Sequence, residues 1–100
     1  MFGFGEILKQ AKQLQEFVEK EIDQIEVEVE VAAGRIKIRM NGKKIPTAIT
    51  IDPALLKPEE RDQLELLLLS GFQEAARRVE AEVKQRVSSV LPPGLSLPGF

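Results

Sequence analysis

Residues 25–40, IEVEVEVAAGRIKIRM, alternate apolar and charged side chains on both sides of a glycine, with acids before it and bases after it. Successive side chains of a strand point to opposite faces, so Ile25, Val27, Val29 and Val31 share one face, and Glu26, Glu28 and Glu30 share the other. The same holds for Ile36, Ile38 and Met40 against Arg35, Lys37 and Arg39. A loop of two residues (Ala33, Gly34) or of four (Ala32 to Arg35) gives one register. Val31 then faces Ile36, Glu30 faces Lys37, Val29 faces Ile38 and Glu28 faces Arg39. Each facing pair of opposite charges contributes roughly 0.2–1 kcal/mol, and a one-residue slip would set glutamate against isoleucine. The charges are therefore explained as sheet register. A calcium or magnesium site is not indicated, because carboxylates about 6.6 Å apart along one strand do not converge on an ion.

On either side of this hairpin the hydrophobic period changes. Ile7, Leu8, Ala11, Leu14, Val18 and Ile22 recur at spacings of three and four and predict a helix over about residues 6–22. Asn41-Gly42-Lys43-Lys44 is a hairpin turn, and Ile45, Thr47, Ile49 and Ile51 continue the alternation into a third strand, so strands occupy about residues 25–51. Pro46 lacks an N–H, which assigns that strand to a sheet edge. Asp52 and Pro53 read as a short capped turn, and Pro58, Glu59 and Glu60 open a long helix over about residues 58–91. Pro92 and Pro93 end it, leaving a flexible tail, 92–100.

The long helix has two unlike halves. LELLLLSGF, residues 64–72, is apolar around most of its circumference, whereas Ala76, Val79, Val83, Val87 and Val90 make only a narrow stripe beyond it. In a three-stranded meander, helix one enters at one end of the sheet and the long helix starts at the other. The long helix must then run back across the sheet, and its second half emerges beside helix one as a projecting arm. One sheet covers only one side of LELLLLSGF, so Leu66 and Leu69 are left for a second copy of the chain. Gly71 either permits close packing or a bend, or is merely tolerated.

Composition narrows the chemistry. The 100 residues contain neither cysteine nor histidine, which removes thiolate nucleophiles, soft-metal sites and the commonest general base. Ser70, Ser88 and Ser89 have no base to activate them, and the Gly3–Gly5 stretch is not a dinucleotide loop. An enzyme, a cofactor, a metal and a small-molecule substrate are not expected. No apolar run approaches a membrane span and the N-terminus does not read as a signal peptide, so the chain is expected to be cytoplasmic. With 14 basic and 16 acidic residues, composition gives nucleic acid no advantage. The absence of tryptophan and tyrosine, with only five phenylalanines, argues against base-stacking platforms for single strands. Phe17 and Phe72 are expected in the core, and Phe2, Phe4 and Phe100 at the ends or at a dimer contact.

KQAKQLQ in the first helix, IDPALL after the last strand, EAARR in the long helix and the LPPG tail together resemble the YbaB/EbfC family of bacterial nucleoid-associated proteins. The resemblance spans nearly the whole chain. It implies an α+β fold with an αβββα protomer, a tweezer-like homodimer, and binding of double-stranded DNA at the nucleoid with little sequence preference through the projecting helices. Lys9 lies in the matching LKQA segment, and Arg77 and Arg78 complete the AARR match. Lys12, Lys84 and Arg86 are added by their position along the arm. Phe4 stands where relatives often carry lysine, and the AAGR turn is less glycine-rich than is common in the family.

Local charge supports two readings of those bases. Residues 58–74 hold five acids and one base, whereas 75–91 hold four bases and two acids, so the arm is less acidic than the body. Yet Glu74–Arg78, Glu80–Lys84 and Glu82–Arg86 are all four-residue pairs of the helix-stabilising orientation, and only Arg77 lacks one, position 73 being Gln. On local evidence a solvated, self-paired face is favoured; the resemblance tips the balance toward phosphate contact. Lys43 and Lys44 at the turn are a rival basic surface. The alternative function is an adaptor dimer whose long helices hold a protein partner.

Overall fold

The computed structural model describes residues 3–90. The chain runs α1 (Phe4–Asp23), β1 (Glu26–Val31), β2 (Ile36–Asn41), β3 (Pro46–Ile51) and α2 (Arg61–Val90), with short 3-10 turns at Pro53–Leu55 and Pro58–Glu60 before α2. The protomer is thus α+β, αβββα, with one antiparallel sheet in the order β1-β2-β3. α1 begins two residues earlier than its periodicity indicates. The Pro58–Glu60 stretch is a separate 3-10 turn leading into α2 and not its first α-helical turn. The helix end at Leu91 and the tail 92–100 lie outside the described residues, as do Phe2 and Phe100.

The first hairpin has the register its charges require: Glu28 faces Arg39, Glu30 faces Lys37, Val29 faces Ile38 and Val31 faces Ile36. Arg39 bridges Glu28 at 3.4 Å and Glu26 at 3.7 Å, and Lys37 lies 3.8 Å from Glu30. The connecting loop is the four-residue one, with Ala32, Ala33 and Gly34 all at positive φ. The third strand departs from simple alternation. Ala48 faces Arg39 but Pro46 faces Met40, so Thr47 is an extra residue in a bulge. Ile49 and Ile51 therefore share the apolar face with Ile38 and Ile36, while Ile45 falls out of phase.

α2 covers that apolar face over β1 and β2. Gly71 sits against Ile38 and Val31 at the hairpin end, and Arg78 donates to the Glu28 carbonyl further along β1. The stretch from Gly71 to Arg78 thus lies over the sheet, and the apolar residues that precede it extend the same packing. Leu64, Leu67 and Leu68 pack against the core, whereas Leu66 and Leu69 stay exposed. The core line on α2 is Ala75, Val79, Val83 and Val87, every fourth residue, with Ala76 only partly buried. Gly71 is buried and α2 stays continuous through it, so close packing, not a bend, accounts for this glycine.

Beyond the sheet, α1 and the last part of α2 run antiparallel. Val18 of α1 joins Val83 and Val87 in the core, and Arg86 lies 3.6 Å from Glu21. Gly42, in the second turn, fits beneath the α1 C-terminus, where a Cβ would run into the Ile22 carbonyl. The result is an elongated body of 71 × 22 × 17 Å. Phe17, expected in the core, is exposed, and the whole of 3–13 is exposed, including Phe4, Ile7 and Leu8.

Candidate nucleic-acid interface

The six candidate cations divide by location and by pairing. Arg77 and Arg78 lie where α2 crosses the sheet, not on the arm. Glu74 holds both: Arg77 through Nη2, and Arg78 through Nε at 3.3 Å. The absence of an acid at position 73 therefore does not leave Arg77 unpaired, because Glu74 reaches it from three residues away. The hydrogen bond from Arg77 pulls the Glu74 carboxyl below its ordinary 4.5, with the charges of Arg77 and Arg78 and the Arg78 hydrogen bond acting the same way; partial burial opposes them. Arg86, further out, is shared between Glu82 at 3.3 Å and Glu21 of α1 at 3.6 Å, so it joins the two helices of the arm.

Lys9, Lys12 and Lys84 make no ion pair among the described residues. Lys9 and Lys12 are one turn apart on the exposed outer part of α1. Lys84 is exposed near the arm's base. Its sequence partner, Glu80, is taken instead by Lys44, whose Nζ lies 3.9 Å from Glu80 Oε2. Lys43 likewise lies 3.5 Å from Asp23. Both lysines of the rival basic surface therefore sit beside arm carboxylates, and Lys84 has no ion pair among the described residues.

This exchange occurs in a crevice of 490 Å³ where the end of α1, the β2–β3 turn and α2 meet. Its walls include Glu19, Asp23, Lys43, Lys44, Glu80 and Lys84. The turn is held rigidly: Asn41 Oδ1 accepts from Lys43 N at 2.9 Å and from Ile45 N at 3.1 Å. Mixed charges make this crevice an electrostatic joint and not an anion pocket.

One further cation belongs with these. Lys20 is exposed on α1, in no ion pair among the described residues, and eleven residues after Lys9. Eleven residues are close to three turns, so Lys9 and Lys20 lie on nearly one line about 16 Å apart. The spacing alone carries this signal, outside any of the family-like motifs. The unpaired cations of the arm thus sit on α1 and near the base of α2, with side chains long enough to reach a phosphate backbone.

Two helices projecting from a short antiparallel sheet and carrying exposed lysines, with no buried charged side chain among the described residues, define a binding scaffold. The chain belongs to the YbaB/EbfC DNA-binding family, whose model matches residues 1–95, and its function is DNA binding without catalysis. A nucleoid-associated protein of Afipia carboxidovorans is 39% identical over 103 aligned positions, covering 100% of this chain and 97% of that protein. The crystal structure of an uncharacterized Helicobacter pylori protein has the same fold, with a TM-score of 0.75 and 17% identity over 92% of this chain and 100% of that one. Among the described residues, no helix is long and apolar enough to cross a membrane.

Proposed function

We propose that this chain is one DNA-binding domain that works as a homodimeric nucleoid-associated protein in the cytoplasm, gripping duplex DNA through phosphate contacts from its helical arms. Lys9, Lys12 and Lys84 are the primary contacts, with Lys20 beside them. Arg77, Arg78 and Arg86 contribute only as their carboxylate partners release them. The observation that carries this reading is the distribution of pairing: the cations without ion pairs on the two projecting helices are lysines exposed to solvent. Phosphate contacts of this kind carry no base information, so unrelated duplexes should bind alike.

The test is a binding titration against salt. Each phosphate neutralised contributes a slope of about −0.9 in log K against log salt. Replacing Lys9, Lys12 and Lys84 by methionine should flatten that slope by up to about 2.7 for each protomer engaged while the circular dichroism spectrum is kept. An unchanged slope, or a strong preference for one sequence, would count against the assignment.

A second reading has its own observation. Phe4, Ile7 and Leu8 are 84%, 58% and 64% exposed at helical spacing on α1, the kind of apolar stripe a protein partner's groove accepts. An adaptor dimer would keep full DNA affinity in the lysine variant yet lose its partner on Ile7→Asp. The lysine titration therefore decides between the two.

A further inference from the structure

We infer that residues 91–100, LPPGLSLPGF, dock along the outer part of α1 in the same chain and cover the apolar stripe left bare there, whether or not the arm holds DNA.

One apolar stripe runs the length of α1. Phe4, Ile7, Leu8, Ala11, Leu14, Val18 and Ile22 recur at helical spacing and share one side. Val18 is buried in the core, and Leu14 and Ile22 pack against it, but Phe4, Ile7, Leu8 and Ala11 are exposed. The change comes where α2 stops. Arg86 lies 3.6 Å from Glu21 across the antiparallel pair, so Val90, one turn further on, stands level with about Phe17. Residues 4–13 of α1 therefore run on for about 15 Å past the last described residue of α2.

The occupant follows from what comes after Val90. α2 delivers the chain to the near end of the bare stripe and points along it. The next ten residues, 91–100, hold no charged side chain. Pro92 and Pro93 do not continue a helix, and at about 3.1 Å per residue ten extended residues span about 31 Å, twice the bare length. Leu91, Leu95, Leu97 and Phe100 bring apolar side chains, and with no charge to desolvate the segment is suited to lie on Ile7 and Leu8. A separate molecule would meet the stripe only at its bulk concentration. A segment tethered at the end of the stripe is present at roughly millimolar effective concentration.

The cover leaves the lysines free. Lys9 stands two residues from Ile7 and from Ala11, and Lys20 two residues from Val18 and from Ile22. Two residues are about 200° around a helix, so both lysines point away from the stripe. A capped tip thus presents cations outward and buries the apolar side that would otherwise attract other proteins.

The chain has no cysteine and no tryptophan, so introduced probes report without background. Leu8→Cys is combined in turn with Leu95→Cys, Leu97→Cys and Phe100→Cys. In the controls Gln13→Cys, two residues from Ala11 and so on the far side, replaces Leu8→Cys. Mild oxidation should form a disulfide within one chain about tenfold faster or more in at least one Leu8 pair than in its Gln13 control, read as monomer-sized species on a denaturing gel. In Phe100→Trp the emission should lie at shorter wavelength than that of a solvated tryptophan, and adding Ile7→Asp with Leu8→Asp should return it to the solvated position. Should the aspartate pair unfold, the cross-linking rates alone decide. Equal rates for the Leu8 and Gln13 pairs, with an emission the aspartates do not move, overturn the docking and leave the stripe to a protein partner. Disulfides that form only between chains also overturn it, and assign the stripe to the tail of a second copy.

Discussion

Lys44 Nζ stands 3.9 Å from Glu80 Oε2, and this contact across the fold takes Glu80 away from Lys84, its neighbour one helical turn on. The turn that carries Lys44 is pinned by Asn41 and lies under the end of α1. Half of each side chain in the pair is exposed, so the contact itself adds little stability. Its effect is on which cation stays available. Removing Lys44 lets Glu80 pair with Lys84 in the favourable helical orientation, which is worth about 0.2–0.5 kcal/mol. Lys44→Met should therefore weaken DNA binding by about 1.5- to 2.5-fold and flatten the salt slope, although Lys44 itself touches no phosphate. Adding Glu80→Gln should restore both in a salt titration. If the double variant stays as weak as Lys44→Met, Lys44 contacts DNA directly.

Glu74 gives the second expectation. It clamps Arg77 and Arg78 together, and the Arg77 hydrogen bond is the main reason its carboxyl sits below the ordinary 4.5. A folded-state pKa below the unfolded one means that the clamp contributes stability above the unfolded value. That contribution fades as pH falls through the folded one. The stability gap between the parent chain and Glu74→Gln should thus be full near neutral pH and close as pH falls below the ordinary 4.5 and through the lowered folded value. Thermal melts across pH 3–7 measure it, and a gap that widens on acidification would refute the clamp. The same variant frees two guanidiniums, so at neutral pH it should bind DNA more tightly and with a steeper salt slope.

Much of this was legible in the sequence, for identifiable reasons. Glu28 and Glu30 against Arg39 and Lys37 fix the register because a slip costs every pair at once, so the hairpin needed no tertiary information. The surplus of Leu66 and Leu69 was visible because one sheet cannot surround a helix apolar on most sides. What escaped depends on through-space neighbours. The bulge at Thr47 breaks a sound alternation, and the ion-pair exchange among Lys44, Glu80 and Lys84 joins residues from two elements. Helical spacing alone therefore misassigned which lysines are free. The Arg77 partner, Glu74, lies three residues away, a helical neighbour that four-residue spacing does not reach.

Two glycines pack against neighbours, and their obstacles differ. At Gly42 a Cβ meets the backbone carbonyl of Ile22, which cannot move without shifting the end of α1. At Gly71 it would come 2.7 Å from Ile38 Cδ1, the far end of a side chain, though a fully buried one. Alanine at 71 also gains about 1 kcal/mol of helix propensity to set against an overpacking cost of about 1–3 kcal/mol. Gly42→Ala should therefore destabilise by about 2 kcal/mol or more, and Gly71→Ala by clearly less. Urea denaturation of the two variants tests the order. A reversal would mean that α1 is not seated on the turn, and the base of the arm would have to be redrawn.

The first hairpin loop holds the last expectation. Ala32 and Ala33 have φ of 55° and 58°, a left-handed conformation in which a Cβ crowds the following carbonyl at a cost of about 1–2 kcal/mol per residue. Gly34, at φ 83°, already suits its position. Glycine at 32 or 33 relieves the crowding but adds entropy to the unfolded chain, which returns part of the gain. The balance favours glycine, so Ala32→Gly or Ala33→Gly should raise stability by about 0.5–1 kcal/mol in urea denaturation. DNA affinity should not change, because the loop lies at the end of the sheet opposite the arm. A loss of stability in both variants would show that the loop does not hold these left-handed angles in solution.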